Sequence, residues 1–265
     1  MAQQSRLLLL LLLLSIFAFD LPAQRNGTLH LITAIDGIND DIAQGCKKDY
    51  ENADELFKFI AQTGGMEYRL HNLSFDQTEV ASFIQDFHCD PEDLVVFLYS
   101  GHGFRYDNDG DFWPWPFMYF CNREEMDIYS ETCELDLEDL RDDLINKNPR
   151  MTLVIGNSCN EMLDNEAGGP ATESEDMDLS DSDQALQGVA LFTEFRGHIL
   201  TSASGPGQKA YTTDDHGAYF IIEFFKHIAE ALDAQEPTSW KNILGQTKHS
   251  VTERNSDQIP LFKIE

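Results

Sequence analysis

Leu94-Val95-Val96-Phe97-Leu98-Tyr99-Ser100-Gly101-His102-Gly103 is an unbroken apolar run that ends in small and polar residues, and Met151-Thr152-Leu153-Val154-Ile155-Gly156-Asn157-Ser158-Cys159 repeats the pattern. A strand with one face in water alternates apolar and polar residues. A continuous run of this length instead suits a strand covered on both faces, as in a parallel sheet. Working outward, Leu29–Ile35 reads as a first strand, and residues 48–63 carry Leu56, Phe59 and Ile60 at helical spacing before Gly64-Gly65. Met66–Leu73 reads as a strand and Gln77–Phe87 as an amphipathic helix with Val80, Phe83, Ile84 and Phe87 on one side. The polar and aromatic stretch 101–132 precedes a helix at about 136–147 with Leu137, Leu140 and Leu144 as its stripe. Further on, 198–202 reads as a strand, 217–232 as a helix, and 259–264 as a last strand that Pro260 places at an edge. Strands alternate with helices, which predicts an α/β domain with a mainly parallel sheet and helices on both faces.

In such sheets the functional residues follow the carboxyl ends of the strands. The two buried runs deliver His102 and Cys159 there. A cysteine attacks as its thiolate, and a neighbouring imidazole both favours that form and returns a proton to a leaving amine. Gly101 and Gly103 permit a tight backbone path. The N–H groups of Gly103 and Cys159 are the candidate donors to a developing oxyanion. His102 and Cys159 in this order are a candidate catalytic pair.

The chain has 265 residues, with 18 basic against 47 acidic side chains and a net charge of −29. That balance excludes a nucleic-acid backbone as partner, since such binding displaces counterions with a basic face, and it disfavours an anionic membrane. With 42% hydrophobic residues the chain has material for a core. Arg6, the leucine run Leu7–Leu14 and Leu21-Pro22-Ala23 predict a signal peptide over 1–23, cleaved after Ala23, ahead of a domain over 24–265. An uncleaved membrane anchor is the alternative; otherwise the mature chain is expected to be soluble, away from the membrane, and secreted or periplasmic. Of five cysteines, Cys159 is the odd one. Cys46, Cys89, Cys121 and Cys133 either form two disulfides, with Cys121–Cys133 the easiest pair to join, or stay free and buried.

Tyr99-Ser100-Gly101-His102-Gly103 is close to the Tyr-Ser-Gly-His-Gly of metacaspases, and Asn157-Ser158-Cys159 to their Asp-Ser-Cys. Gly45-Cys46-Lys47-Lys48-Asp49, Ser202-Ala203-Ser204, Gln208-Lys209-Ala210 and Gly217-Ala218-Tyr219-Phe220 extend the likeness over about 28–265. The sequence thus resembles the caspase/metacaspase clan of cysteine peptidases. The resemblance implies a caspase-like sandwich around a six-stranded, mainly parallel sheet. It also implies endopeptidase action on protein or peptide substrates through a Cys–His dyad and a thioester acyl-enzyme, with no required cofactor. It makes Asn157, two before the nucleophile, and Ser202, Ala203 and Ser204 the substrate-binding candidates. Metacaspases carry Asp where this chain has Asn157, and His-Ser-Gly where it has Asn160-Glu161-Met162. A neutral amide removes the charge that would pair with a basic P1 side chain, although Asp107, Asp109 or Asp111 are alternative sources of it. A P1 Asp pocket would need arginines, and Arg105, Arg123, Arg196 and Lys209 fit no caspase motif.

Asp107, Asp109 and Asp111 alternate around Gly110 in a pattern that suits calcium, though without the glutamate an EF-hand requires; a solvated acidic turn is the other reading. Phe112-Trp113-Pro114-Trp115-Pro116-Phe117 reads as a loop packed onto the domain, or else as the wall of a substrate groove. Residues 160–187 hold nine acids and no Lys or Arg, and read as a loop in the place of the caspase inter-subunit linker. With no basic residue between 151 and 195, an enzyme that cuts after basic residues stays a single chain, unless it cuts after Asn or Asp. The alternatives to a peptidase are a non-catalytic binding or scaffold protein of the same fold and a legumain-like transpeptidase.

Overall fold

A computed structural model describes residues 27–106, 113–122, 132–162 and 185–265. The expected signal peptide, Asp107, Asp109, Asp111 and Arg123, and most of the acidic loop lie outside them. The chain runs through β1 (Thr28–Ile35), α1 (Ala43–Thr63), β2 (Glu67–Leu73), α2 (Gln77–Asp86) and β3 (Leu94–Ser100). Three short strands follow, β4 (Gly103–Arg105), β5 (Phe117–Tyr119) and β6 (Glu134–Asp136), and then α3 (Leu137–Ile145), β7 (Met151–Asn157) and β8 (Glu161–Met162). The last third holds α4 (Ala190–Thr193), β9 (Gly197–Ser202), β10 (Thr212–Thr213), β11 (Gly217–Ala218), α5 (Tyr219–Asp233), α6 (Trp240–Arg254) and β12 (Leu261–Ile264).

Six strands form one sheet in the order β12-β9-β7-β3-β1-β2, parallel except for β12 against β9. β3 and β7 lie at its centre and every residue of both is buried, as their unbroken apolar runs require. Side chains alternate between two cores. On β3, Leu94, Val96 and Leu98 join one core with α1, α5 and α6, while Val95, Phe97 and Tyr99 join the other with α2 and α3. β12 is an edge strand preceded by Pro260, where a missing N–H costs no ladder bond.

Helix starts follow local chemistry. Asp76 accepts from the Glu79 N–H at 2.8 Å ahead of α2, and Asp136 accepts from Glu138 and Asp139 at 2.7 and 2.9 Å ahead of α3. The helix α6 adds to the expected elements; Ser239 caps it, and Trp240, Ile243, Leu244, Thr247 and Val251 form its buried side.

The stretch expected to be irregular after His102 instead contributes to a second sheet, β6-β5-β4-β8. β8 occupies Glu161–Met162, at the start of what the composition reads as a loop, and Leu186 near its other end pairs with Thr238. Trp115 is buried, and the Trp113 Nε1 donates to Asp136 Oδ2 at 2.8 Å, so these aromatics pack onto the domain. Cys121 and Cys133 form a disulfide, while Cys46, Cys89 and Cys159 are free. A second disulfide is not formed: α1, which carries Cys46, covers one face of the sheet, and Cys89 packs into the core on the other.

Tyr99 ties the two sheets together. Its buried hydroxyl lies 2.6 Å from the His102 carbonyl and 2.7 Å from that of Tyr119, and accepts from the Tyr119 N–H at 3.0 Å. Tyr99→Phe should destabilise the fold by about 1–3 kcal/mol, because it removes the buried hydroxyl's bonds to the His102 and Tyr119 backbone. Denaturant unfolding measures this, and an unchanged midpoint would contradict it.

Candidate active site

β3 and β7 run parallel with Ser100 opposite Asn157. His102 and Cys159 each follow that pair by two residues, so they leave the same edge of the sheet from neighbouring strands. The Gly101 N–H extends the pairing to the Asn157 carbonyl at 3.1 Å. At Gly103 a Cβ would lie 2.5 Å from the Ser158 Oγ and 2.8 Å from the Cys159 carbonyl oxygen. Glycine there lets β4 start directly against the Cys159 loop.

The His102 carbonyl accepts from the Tyr119 N–H at 3.0 Å, and its ring is largely buried with Nε2 3.5 Å from Asp41 Oδ1. Cys159 is partly exposed; its Sγ accepts from the Ala210 N–H at 3.4 Å. Burial pushes the other two free thiols up, Cys46 to about 12 and Cys89 to about 11, so neither is a nucleophile near neutral pH.

The Cys159 loop is braced from behind. Ser204 Oγ donates to the Ser158 carbonyl at 2.9 Å, and Ser202 Oγ to the Ser204 carbonyl at 2.9 Å. The Ala203 N–H donates to the Gly156 carbonyl at 2.8 Å. All three residues are fully buried, so the structure places these substrate-binding candidates as supports of the loop. Asn160, one of the departures from the metacaspase pattern, donates through Nδ2 to the Pro114 carbonyl at 2.7 Å and exchanges backbone bonds with Gln208 and Gly207.

Between the ends of β3 and β7 and the start of α5 lies Asp49, which the sequence does not mark as a site residue. The Asp49 carboxylate accepts from Ser100 Oγ at 2.7 Å, Asn157 Nδ2 at 3.0 Å and the Ala218 N–H at 2.8 Å. Gly217, at φ +91°, is packed against it so closely that a Cβ would collide. Its signal is legible: an acid at helical spacing from Cys46, Ala53 and Phe57, on the buried stripe of α1. Asn157 Oδ1 is buried with no hydrogen-bond partner among the described residues. Arg196 pairs with Glu92 and Lys209 with Glu161, so neither is placed in an arginine pocket of the caspase kind. Among the described residues no three His, Cys, Asp or Glu are grouped to hold a metal ion.

Burial outweighs the three donors and pushes the Asp49 carboxyl up to about 7. The folded protein therefore holds this proton more tightly than the unfolded chain does between about pH 4 and 7, and this group's contribution to stability falls as pH rises through that window. Asp49→Asn removes the dependence. The melting temperature of the variant minus that of the wild type should rise from pH 5 to pH 7.5, and a difference independent of pH would contradict the assignment.

Residues 37–265 match the sequence family described as the caspase domain. No curated protein matches the chain in sequence. Among solved structures, the chain is similar to caspase-1 from Spodoptera frugiperda, with 14% identity, a TM-score of 0.53, and coverage of 92% of this chain and 88% of that one. This likeness shows a shared fold. The chain belongs to the caspase-domain family of cysteine-type endopeptidases.

Proposed function

We propose that this peptidase works through Cys159 and His102 and is exported. The observation that carries the site is the register of Ser100 against Asn157, which sends both side chains from one edge. In the first step Cys159 Sγ bonds to the scissile carbonyl carbon, with the oxyanion facing the N–H groups of Gly103 and Cys159. The C–N bond then breaks, His102 gives its proton to the leaving amine, and a thioester remains. Water attacks that thioester and its proton passes to His102; the acid leaves and Cys159 is regenerated as a thiolate beside the imidazolium, the ion pair from which the first step began once the thiol proton had moved to His102. Cys159→Ala should lower peptide hydrolysis at least about a thousandfold with an unchanged melting temperature; activity near wild type would contradict the reading.

The P1 side chain is read by Asn157 and Asp49. Asn157 Oδ1 is a buried acceptor without a donor, and the Asp49 carboxylate lies directly behind its amide. A buried acceptor left unpaired favours a ligand that supplies an N–H. Both groups disfavour a P1 carboxylate. Asp49 brings a carboxyl group from α1 behind Asn157, and it carries the missing charge as pH rises past about 7. Cleavage profiling on a digested proteome should show Lys or Arg at P1; a preference for Asp or Glu would contradict this. Such an enzyme does not cut between 151 and 195, where basic residues are lacking, and works as one chain. Activation on cleavage at Arg150 or Arg196 would contradict that.

Export is supported by the leucine-rich segment over 1–23 and by the Cys121–Cys133 disulfide, a bond that persists in oxidising compartments. Expression in a native-like host should yield a mature chain beginning at Gln24 outside the cytoplasm, and retention of Met1 in a cytosolic fraction would contradict it.

A further inference from the structure

The geometry points to Asp41 as a third member of the site, a positioning residue that orients His102 and favours its protonated form. This rests on the proposed roles of His102 and Cys159. Asp41 Oδ1 lies 3.5 Å from His102 Nε2, an ion-pair distance, with the imidazole nearly buried and the carboxylate 50% exposed.

The loop between β1 and α1 that carries Asp41 is built to stay there. The Asp36 N–H donates to the Ser100 carbonyl at 2.8 Å, which ties the loop to the end of β3 two residues before His102. The Asp36 carboxylate accepts from the Ile38 and Asn39 N–H groups, both at 3.0 Å, and from Asn39 Nδ2 at 2.7 Å. Asn39 Nδ2 reaches the Cys121 carbonyl at 3.3 Å, so the loop is also fastened to the disulfide. The Asn39 carbonyl accepts from Ile42 and Ala43 as the chain turns into α1. Asp41 stands between these anchors, and the His102 backbone is held separately by Tyr99 and Tyr119.

Among the described residues, the titratable and charged groups on the elements around the imidazole include Cys159 beyond β7, Tyr99 on β3, the buried Arg105 on β4, Tyr119 on β5, Cys46 and Asp49 on α1, and Asp36 and Asp40 in the loop of Asp41. Asp36 caps its own turn, and Asp49 is surrounded by its three donors. Burial keeps Cys46 protonated. Among the described residues, Asp41 is the carboxylate within ion-pair distance of the ring. With Nε2 facing Asp41, Nδ1 is the nitrogen left to serve the thiol and the leaving amine. A carboxylate at this ion-pair distance stabilises imidazolium, the form that protonates the leaving group, and draws the Nε2 edge of the ring toward the β1–α1 loop. Its half exposure screens the effect, so the contribution is smaller than that of a buried triad acid.

The test measures the ring's titration and the reaction separately. In Cys159→Ala protein labelled at histidine, NMR should show the His102 pKa falling when Asp41→Asn is added, and recovering in part with Asp41→Glu. In otherwise wild-type enzyme, Asp41→Asn should lower kcat about tenfold with little change in KM and move the alkaline limb of kcat/KM to lower pH. Asp40→Asn, at an exposed neighbouring position, serves as the control and should do neither. An unmoved His102 titration and alkaline limb in Asp41→Asn would overturn the proposal even if activity fell. Hydrolysis retained by Cys159→Ala would overturn the underlying site, a failure told apart because the titration needs no activity.

Discussion

The pairing of β3 with β7, parallel and with Ser100 opposite Asn157, is the constraint on which the site depends. Both strands are buried on both faces, so their register is set by two hydrophobic cores at once. A slip of one residue would send Leu94, Val96 and Leu98 to the core that now receives Val95, Phe97 and Tyr99. The same slip would separate His102 from Cys159 along the sheet edge. Apolar burial along the strands is thus what aligns His102 with Cys159, and hydrogen bonds at the strand ends finish the placement.

Those bonds converge from several elements. Tyr99 fixes the His102 carbonyl, Ser204 fixes that of Ser158, and Asn160 fastens the Cys159 loop to the segments before β5 and after β9. Gly103 and Gly217 are required where backbone passes the Ser158 side chain and the Asp49 carboxylate too closely for a Cβ. Buried polar groups are costly unless partnered, so such a network specifies one arrangement of the strand ends. Asn157 Oδ1, Ser158 Oγ and Asn160 Oδ1 depart from this rule among the described residues, the first of them where substrate is proposed to bind.

The sequence makes the central sheet legible because β1, β3 and β7 are long, apolar and directly followed by chemistry-bearing residues. His102 and Cys159 are legible for the same reason. The small sheet is not: β4, β5 and β6 have three residues each, too few for periodicity, and they exist because the ends of the large sheet and the disulfide present them with partners. Asp49 is written in the sequence as an acid on an apolar helix stripe, but its role depends on Ser100 and Asn157, distant along the chain. Asp41 is one acid among several in a polar turn, and only the fold sets it against His102. The net charge of −29 excludes partners without indicating any of this.

The central claim is that, of the three free thiols, Cys159 is the nucleophile and His102 its acid–base partner. Incubation with a peptidyl acyloxymethyl ketone, which loses its carboxylate as the thiolate bonds to the methylene carbon, tests it directly. Intact mass and peptide mapping should show one adduct, on Cys159, formed much more slowly in His102→Ala. An adduct on Cys46 or Cys89, or equally fast labelling of Cys159 without His102, would contradict the account.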